Sequence, residues 1–132
     1  DEVQIIATVI SSDGEHSADV LALCGASTAL MISQLPFSTP VGSVKVGRVD
    51  GNMIINPSIE ELSKSDIDLI VAGTADSIVM VEAGANIVPE SEILDAINFG
   101  HDAIKKIVAT QDDVRSKVGK EKDEFIAPEV DP

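Results

Sequence analysis

Residues 66–82, DIDLIVAGTADSIVMVE, constrain the fold of this chain more than any other stretch. Two apolar runs rich in Ile and Val flank a turn of small residues, a pattern that predicts a buried β-hairpin. The first run begins with Asp66 and Asp68, which would share one face of a strand because they are two residues apart. Two carboxylates at the mouth of a hairpin could hold a metal ion, or they could be a solvated strand end.

The other elements are predicted from periodicity and from turn and cap residues. Alternating apolar residues indicate a strand, Asp50-Gly51 indicates a tight hairpin turn, and Ser58 with Glu61 forms a capping box. In chain order we expect a strand at 3–10, a helix at about 18–33 capped by Ser17, strands at 41–49 and 53–55, a short helix after Ser58, the hairpin at 66–82, and a long helix opened by Pro89. This order predicts an α+β fold with a mixed or mostly antiparallel sheet.

The long helix carries an apolar seam at alternating spacings of four and three residues, which is typical of a helix packed on a sheet. The seam consists of Ile93, Ile97, Gly100, Ile104 and Ile107. After Gly119 the pattern stops, and the charged, Pro-bearing sequence KEKDEFIAPEVDP indicates a linker or docking tail. We therefore assign residues 1–119 to one domain and residues 120–132 to a linker.

Composition limits the possible functions. The formal net charge of the 132 residues is −14, so the chain lacks the basic footprint of a nucleic-acid-binding domain. The single cysteine, Cys24, fits a reducing compartment. Residues 20–44 carry no charge, but their Gly, Ser and Pro content argues against a membrane span and favours a helix enclosed by protein or at a subunit interface. The chain starts without Met and with no signal peptide, so we expect a piece of a longer protein.

Most candidate site residues have an ordinary structural interpretation. His16 is expected at the surface, His101 in helix packing, and Cys24 in the core. Gly42 and Gly47 match no phosphate-binding loop and indicate bulges or close strand packing. Lys45 and Arg48 could contact phosphate at an oligomer surface or form a cross-strand ion pair, whereas Glu90, Glu92 and Asp95 are expected as helix-start charges.

Three segments resemble the bacterial polynucleotide phosphorylase family along nearly the whole chain. They are EVQIIATVISSDGEHSADVLALCGASTAL, QLPFSTPVGSVKVGRVDGNMIINPSIEEL and DIDLIVAGTADSIVMVEAGANIVPESEILDAINFGHDAIKKI. The VAGT turn, the INPS step and the FGH of the long helix occur in the order that this family shows. The match is to the C-terminal half of the first of two RNase PH-like cores. This resemblance implies the ribosomal protein S5 domain 2-like fold.

The resemblance also implies a function for the longer protein. Members of this family shorten RNA from the 3′ end with inorganic phosphate and release nucleoside diphosphates, and the reaction is reversible. They use Mg²⁺ or a similar ion, and three subunits form a ring of alternating cores around an RNA channel. We therefore expect a cytoplasmic enzyme in which this chain is scaffold, and we expect the chain alone to self-associate through exposed apolar surface.

The same resemblance addresses Asp66 and Asp68. The family's catalytic core carries a motif of Asp, five residues, Asp, one residue and Lys. Laid on this chain, the motif falls on Leu62, Asp68 and Ile70, so one of three site groups survives, and Asp66 matches no motif position. We predict that Asp68 is a remnant, and that the chain contains no catalytic, cofactor-binding or metal-binding residue. The alternatives are a free-standing interaction module of this fold and an active phosphorolytic core.

Overall fold

A four-stranded antiparallel sheet forms the centre of the protein. The computed structural model describes residues 2–126, with the side chain of Ala85 left out. In chain order the elements are α1 (Asp19–Ile32), β1 (Gly42–Val49), β2 (Asn52–Ile55), α2 (Ile59–Ser63), β3 (Ile67–Gly73), β4 (Ile78–Ala85) and α3 (Glu90–Val118). The strand order is β2-β1-β3-β4, and every neighbouring pair is antiparallel. The predicted α+β class is confirmed.

Local sequence explains the turns and the short helix. Asp50 and Gly51 both have positive φ, 51° and 77°, as the tight turn between β1 and β2 requires. The predicted capping box is present: the Ser58 hydroxyl accepts from the Glu61 N–H, and the Glu61 carboxylate accepts from the Ser58 N–H. Pro89 lies at the start of α3, also as predicted.

Helix α3 covers one face of the sheet and builds the core. Its seam packs on valines of β1 and β3, and Gly100 lets the helix approach so closely that an added Cβ would lie 3.0 Å from Val46 Cγ2. Gly42 faces the same helix, where an added Cβ would lie 3.2 Å from methyl groups of Ile104 and Ile107. The buried core consists of Val44, Val46, Ile67, Leu69, Val71, Ala96, Ile104 and Val108. The predicted seam of α3 is confirmed.

A buried ring of hydrogen bonds joins α1, α3 and the residue before β1. The Ser27 hydroxyl donates to Gln111 Oε1 (2.7 Å), Gln111 Nε2 donates to the Val41 carbonyl (2.9 Å), and the Val41 N–H donates back to Ser27 Oγ (2.9 Å). Ser27 and Gln111 are 5% and 3% exposed. Each polar group therefore has a partner, which burial demands.

The prediction of a strand at residues 3–10 is wrong for this structure. The segment pairs with no strand in the described part of the chain, and residues 2–17 are all exposed. It lies against α1 instead, where the two line a groove of about 400 Å³. Apolar alternation makes a segment competent to pair, but a strand forms only where a free sheet edge lies beside it. Neither edge of this sheet receives the segment.

The expected N-cap of α1 is also wrong. Ser17 does not cap the helix: the N-cap position is Ala18, without a side-chain hydrogen bond. Gly25 of α1 has nothing within 4 Å of an added Cβ. None of the helices described within residues 2–126 is long and apolar enough to cross a membrane. Part of the predicted linker, residues 127–132, lies outside the described residues.

Candidate functional site

The sheet face opposite α3 contains the site predicted from the motif. Asp68 and Ile70 of β3 point to this face, and the register places Ile70 opposite Lys45 of β1 and opposite Glu82 of β4. A groove of about 420 Å³ opens there. Its lining residues are Asp19, Lys45, Asp68, Ile70, Glu82, Ala83 and Gly84. The first motif position, Leu62, lies on α2 and does not line the groove.

Lys45 is the cation of this groove and is already paired. Its side chain is 12% exposed, and Nζ lies 3.2 Å from Asp19 Oδ2 at the start of α1. Burial raises the pKa of Asp19, but hydrogen bonds from Ser17, the Val20 N–H and Lys45 outweigh burial and leave that pKa below its usual value. Asp19 is therefore ionised at neutral pH, and the pair ties α1 to the sheet.

Asp66 and Asp68 have different environments. Arg48 Nε and Nη2 donate to Asp66 Oδ1 and Oδ2 at 2.9 and 2.6 Å, while Nη1 contacts Glu92 at the start of α3. The bidentate bond from Arg48 lowers the pKa of Asp66. Asp68 is exposed and forms no ion pair with any residue among 2–126. Of the two carboxylates, Asp66 holds the β1–β3–α3 corner together, and Asp68 faces the groove.

This arrangement does not fit Mg²⁺ or phosphate. Mg²⁺ needs oxygen ligands in a tight octahedral set, whereas the ligand atoms of Asp19, Asp68 and Glu82 do not form a group within 4.8 Å. Phosphate meets a different obstacle, because three carboxylates border the groove and its one ammonium is neutralised by Asp19. The groove therefore holds no preformed constellation for phosphoryl transfer.

The one compact set of potential metal ligands among the described residues lies elsewhere, in the turn before α1. Asp13, Glu15 and His16 place ligand atoms within 4.8 Å of one another, all on exposed side chains. His16 Nδ1 donates to Asp13 Oδ2 at 2.7 Å, and this hydrogen bond raises the pKa of His16. The same bond, followed by backbone N–H bonds from His16 and Glu15, lowers the pKa of Asp13. These hydrogen bonds are those of a turn, and they explain why the three side chains lie close together.

Most of the remaining candidate residues make contacts within the fold. His101 Nε2 lies 3.0 Å from the Thr74 carbonyl and supports the β3–β4 turn. Cys24 Sγ lies 3.3 Å from the Ser43 N–H between α1 and β1; it is half-buried and lies outside the buried core in which it was expected. Gly47 lies against Pro57 and Ser65, where an added Cβ would come within 3.0 Å of Pro57 Cγ. Glu90 and Asp95 are exposed on α3, while Glu92 contacts Arg48.

Sequence reasoning missed the groove itself. It identified Asp68 and Ile70 and named Lys45, but it did not bring Lys45, Asp19 and Glu82 to the same face. The alternation of side chains within each strand could be predicted from the sequence, because Lys45 and Ile70 both lie on the less buried face of their strands. The pairing of Lys45 with Asp19 depends on how α1 crosses β1, and no local pattern specifies that crossing.

Comparison with known proteins gives a consistent result. Residues 39–103 match the 3′ exoribonuclease family, domain 2. Proteins named polyribonucleotide nucleotidyltransferase are similar along 99% of this chain: the one from Geobacillus kaustophilus (strain HTA426) is 51% identical over 131 residues, and the one from Halothermothrix orenii is 53% identical over 131 residues. The chain spans only 18% and 19% of the length of these two relatives.

Proposed function

We propose that this chain is part of a 3′-to-5′ phosphorolytic exoribonuclease, because its residues 39–103 match the 3′ exoribonuclease family, domain 2. The carrying observation is an identity of about one half, sustained over 99% of the chain, with polyribonucleotide nucleotidyltransferases. The reaction of the whole protein would cleave RNA with inorganic phosphate and release nucleoside diphosphates, and it would be reversible.

Within that enzyme, we propose that this chain is scaffold. Its groove presents a paired lysine and three carboxylates, which suits neither a phosphate nucleophile nor the RNA backbone. Its net charge of −14 is also unfavourable for direct RNA contact. Mg²⁺ would be held by residues outside this chain, since the groove does not fit that ion. The phosphorolytic chemistry would then belong to the rest of the longer protein.

The assembly and the compartment are part of the same proposal. We propose a cytoplasmic homotrimer in which this domain packs against other cores of the ring. The observation that supports packing is the apolar surface of α1 and the segment before it: Ile6 is 76% exposed, Ile10 94% and Leu21 67%. Apolar surface of this kind is usually covered by protein.

The decisive experiment measures phosphate-dependent release of ADP from poly(A). The purified chain is compared with the longer enzyme at equal molar concentration, after circular dichroism has established that the chain is folded. We expect release by the longer enzyme and none by the chain. Release by the chain alone would overturn the scaffold role, and absence of phosphate-dependent release by the longer enzyme would overturn the reaction itself.

A variant of the longer enzyme tests the groove. Asp68→Ala is expected to leave phosphorolysis within about threefold of the wild-type rate, because no transition-state contact depends on it. Glu82→Ala, in the same groove, is the matched control. If Asp68→Ala alone lost several orders of magnitude in rate while the fold was retained, Asp68 would be catalytic and the proposed scaffold role would be wrong.

The alternative function is a free-standing interaction module without catalysis. The observation that favours it is the same exposed apolar surface beside α1, which could serve a partner other than a second core. The two functions differ in one accessible fact, which is the length of the reading frame that encodes this chain. A frame that continues through a second RNase PH-like core favours the enzyme, and a frame restricted to these residues favours the module.

A further inference from the structure

The carbonyl end of α1 lacks a cation of its own. The last carbonyls of any helix have no partner within the helix and carry a partial negative charge. Helices often place Lys or Arg in the last turn to compensate. Helix α1 has no basic residue there, and Asp19, at its opposite end, is its one charged residue.

The segment that follows α3 supplies the missing groups. Lys122 Nζ donates to the carbonyls of Leu30 (2.9 Å) and Ser33 (2.7 Å), which lie 92 and 89 residues earlier in the chain. Burial against this helix end, with a smaller contribution from Arg115, lowers the pKa of Lys122. The ammonium therefore caps α1 from a distant part of the chain.

Two backbone bonds extend this contact on either side of Lys122. The Lys120 N–H donates to the Ile32 carbonyl at 2.9 Å, and the Asp123 N–H donates to the Gln34 carbonyl at 2.7 Å. These four hydrogen bonds, two from the backbone and two from one side chain, are more than a flexible linker would form. The same helix end borders an apolar groove of about 300 Å³ that Leu30, Ser33 and Leu35 share with residues 3–6.

We infer that residues 120–123 form a strap, latched by Lys122, that holds the C-terminal end of α1. The strap belongs to the domain rather than to a linker, which moves the boundary placed at residue 119. It also fixes where the chain leaves α3, since the segment cannot swing away while Lys122 binds both carbonyls. Loss of the Lys122 charge, by substitution or by acylation of its amine, would release the strap and loosen this end of α1.

Hydrogen–deuterium exchange in the 132-residue chain tests the latch. Lys122→Met keeps the length of the side chain but removes the ammonium. Lys120→Met is the matched control, because Lys120 is attached through its backbone N–H and not through its side chain. We expect exchange at the amides of Lys120 and Asp123 to become roughly tenfold faster in Lys122→Met and to stay unchanged in Lys120→Met.

Lys122→Arg sharpens the test, because a guanidinium retains the charge and should restore most of the protection. Core amides of β1 and β3 report global stability in the same spectra. Equal exchange in Lys122→Met and Lys120→Met would overturn the latch. Equal acceleration of the strap and the core amides in Lys122→Met would also overturn it, since the effect would then be global unfolding.

Discussion

The two long helices differ in how much of their apolar surface this chain covers. Helix α3 turns its seam to the sheet, where Ile104 is fully buried, and presents ion pairs such as Lys117–Asp113 to solvent. Helix α1 has one charged residue in fourteen; it buries Val20 and Met31 but leaves Leu21 67% exposed. An amphipathic helix needs one neighbour, whereas a helix that is apolar on all sides needs several. The apolar seam of α3 is thus covered within the chain, whereas part of the apolar surface of α1 is exposed.

The largest effect on stability should come from the packing of α3 on the sheet. Ile104→Ala removes a fully buried side chain at the centre of the seam and is expected to reduce the free energy of unfolding by about 3 kcal/mol. Leu21→Ala, on the exposed side of α1, should change it by less than about 0.5 kcal/mol. Urea denaturation followed by circular dichroism measures both. Similar losses for the two variants would contradict the division into a covered and an uncovered helix.

The same division explains which elements sequence could predict. The seam of α3, the turn at Asp50-Gly51 and the capping box at Ser58 depend on neighbours within a few residues, so local patterns were sufficient. The strand expected at residues 3–10 did not form because this segment lies against α1 and pairs with neither edge strand of the sheet, β2 or β4. Apolar alternation indicates that a segment can pair in a sheet, but it does not indicate whether a strand is available beside it.

The junction between the two helices should give the next largest effect. Gln111→Met leaves the Ser27 hydroxyl and the Val41 carbonyl without their partners in a buried site, at an expected cost of about 2 kcal/mol. Because Ser27 and Gln111 belong to one ring, Ser27→Ala combined with Gln111→Met should cost less than the sum of the single variants. The four free energies of unfolding, from urea denaturation, form the cycle. Strict additivity would show that the ring does not act as a unit.

The candidate site was predictable only in part, for a related reason. Asp68 and Ile70 lie two residues apart on β3 and therefore share one face, where the register sets Ile70 opposite Lys45. The partners of Lys45 and Arg48 come from α1, from the residue before β3 and from α3, so their ion pairs required the tertiary arrangement. Whether Asp68 is a catalytic remnant stays a prediction until the variant is measured.

The exposed apolar surface beside α1 should make the isolated chain self-associate. Leu21→Glu places a charge in the apolar groove beside α1 and is expected to weaken association roughly tenfold. Val118→Glu is the control, because Val118 is 63% exposed at the far end of α3 and does not line that groove. Sedimentation velocity over a concentration series measures the dissociation constant. A chain that stays monomeric at all concentrations would contradict self-association, and equal weakening by both variants would place the association surface elsewhere.

The smallest expected effect concerns the turn that leads into α1, and it depends on pH. The hydrogen bond to Asp13 raises the pKa of His16 above its ordinary value of 6.5, so the folded state binds this proton more tightly than the unfolded chain. The resulting stability is fully present below pH 6.5 and is lost as pH rises through the raised pKa. It also requires ionised Asp13, whose pKa is lowered, so the contribution persists at mildly acid pH. His16→Gln should therefore lower the melting temperature at pH 5.5 by no more than about one degree and leave it unchanged at pH 9. A larger loss at pH 9 than at pH 5.5 would reverse the sign and show that neutral His16 is the stabilising form. A loss of many degrees at pH 5.5 would show instead that this turn holds α1 as firmly as the sheet holds α3.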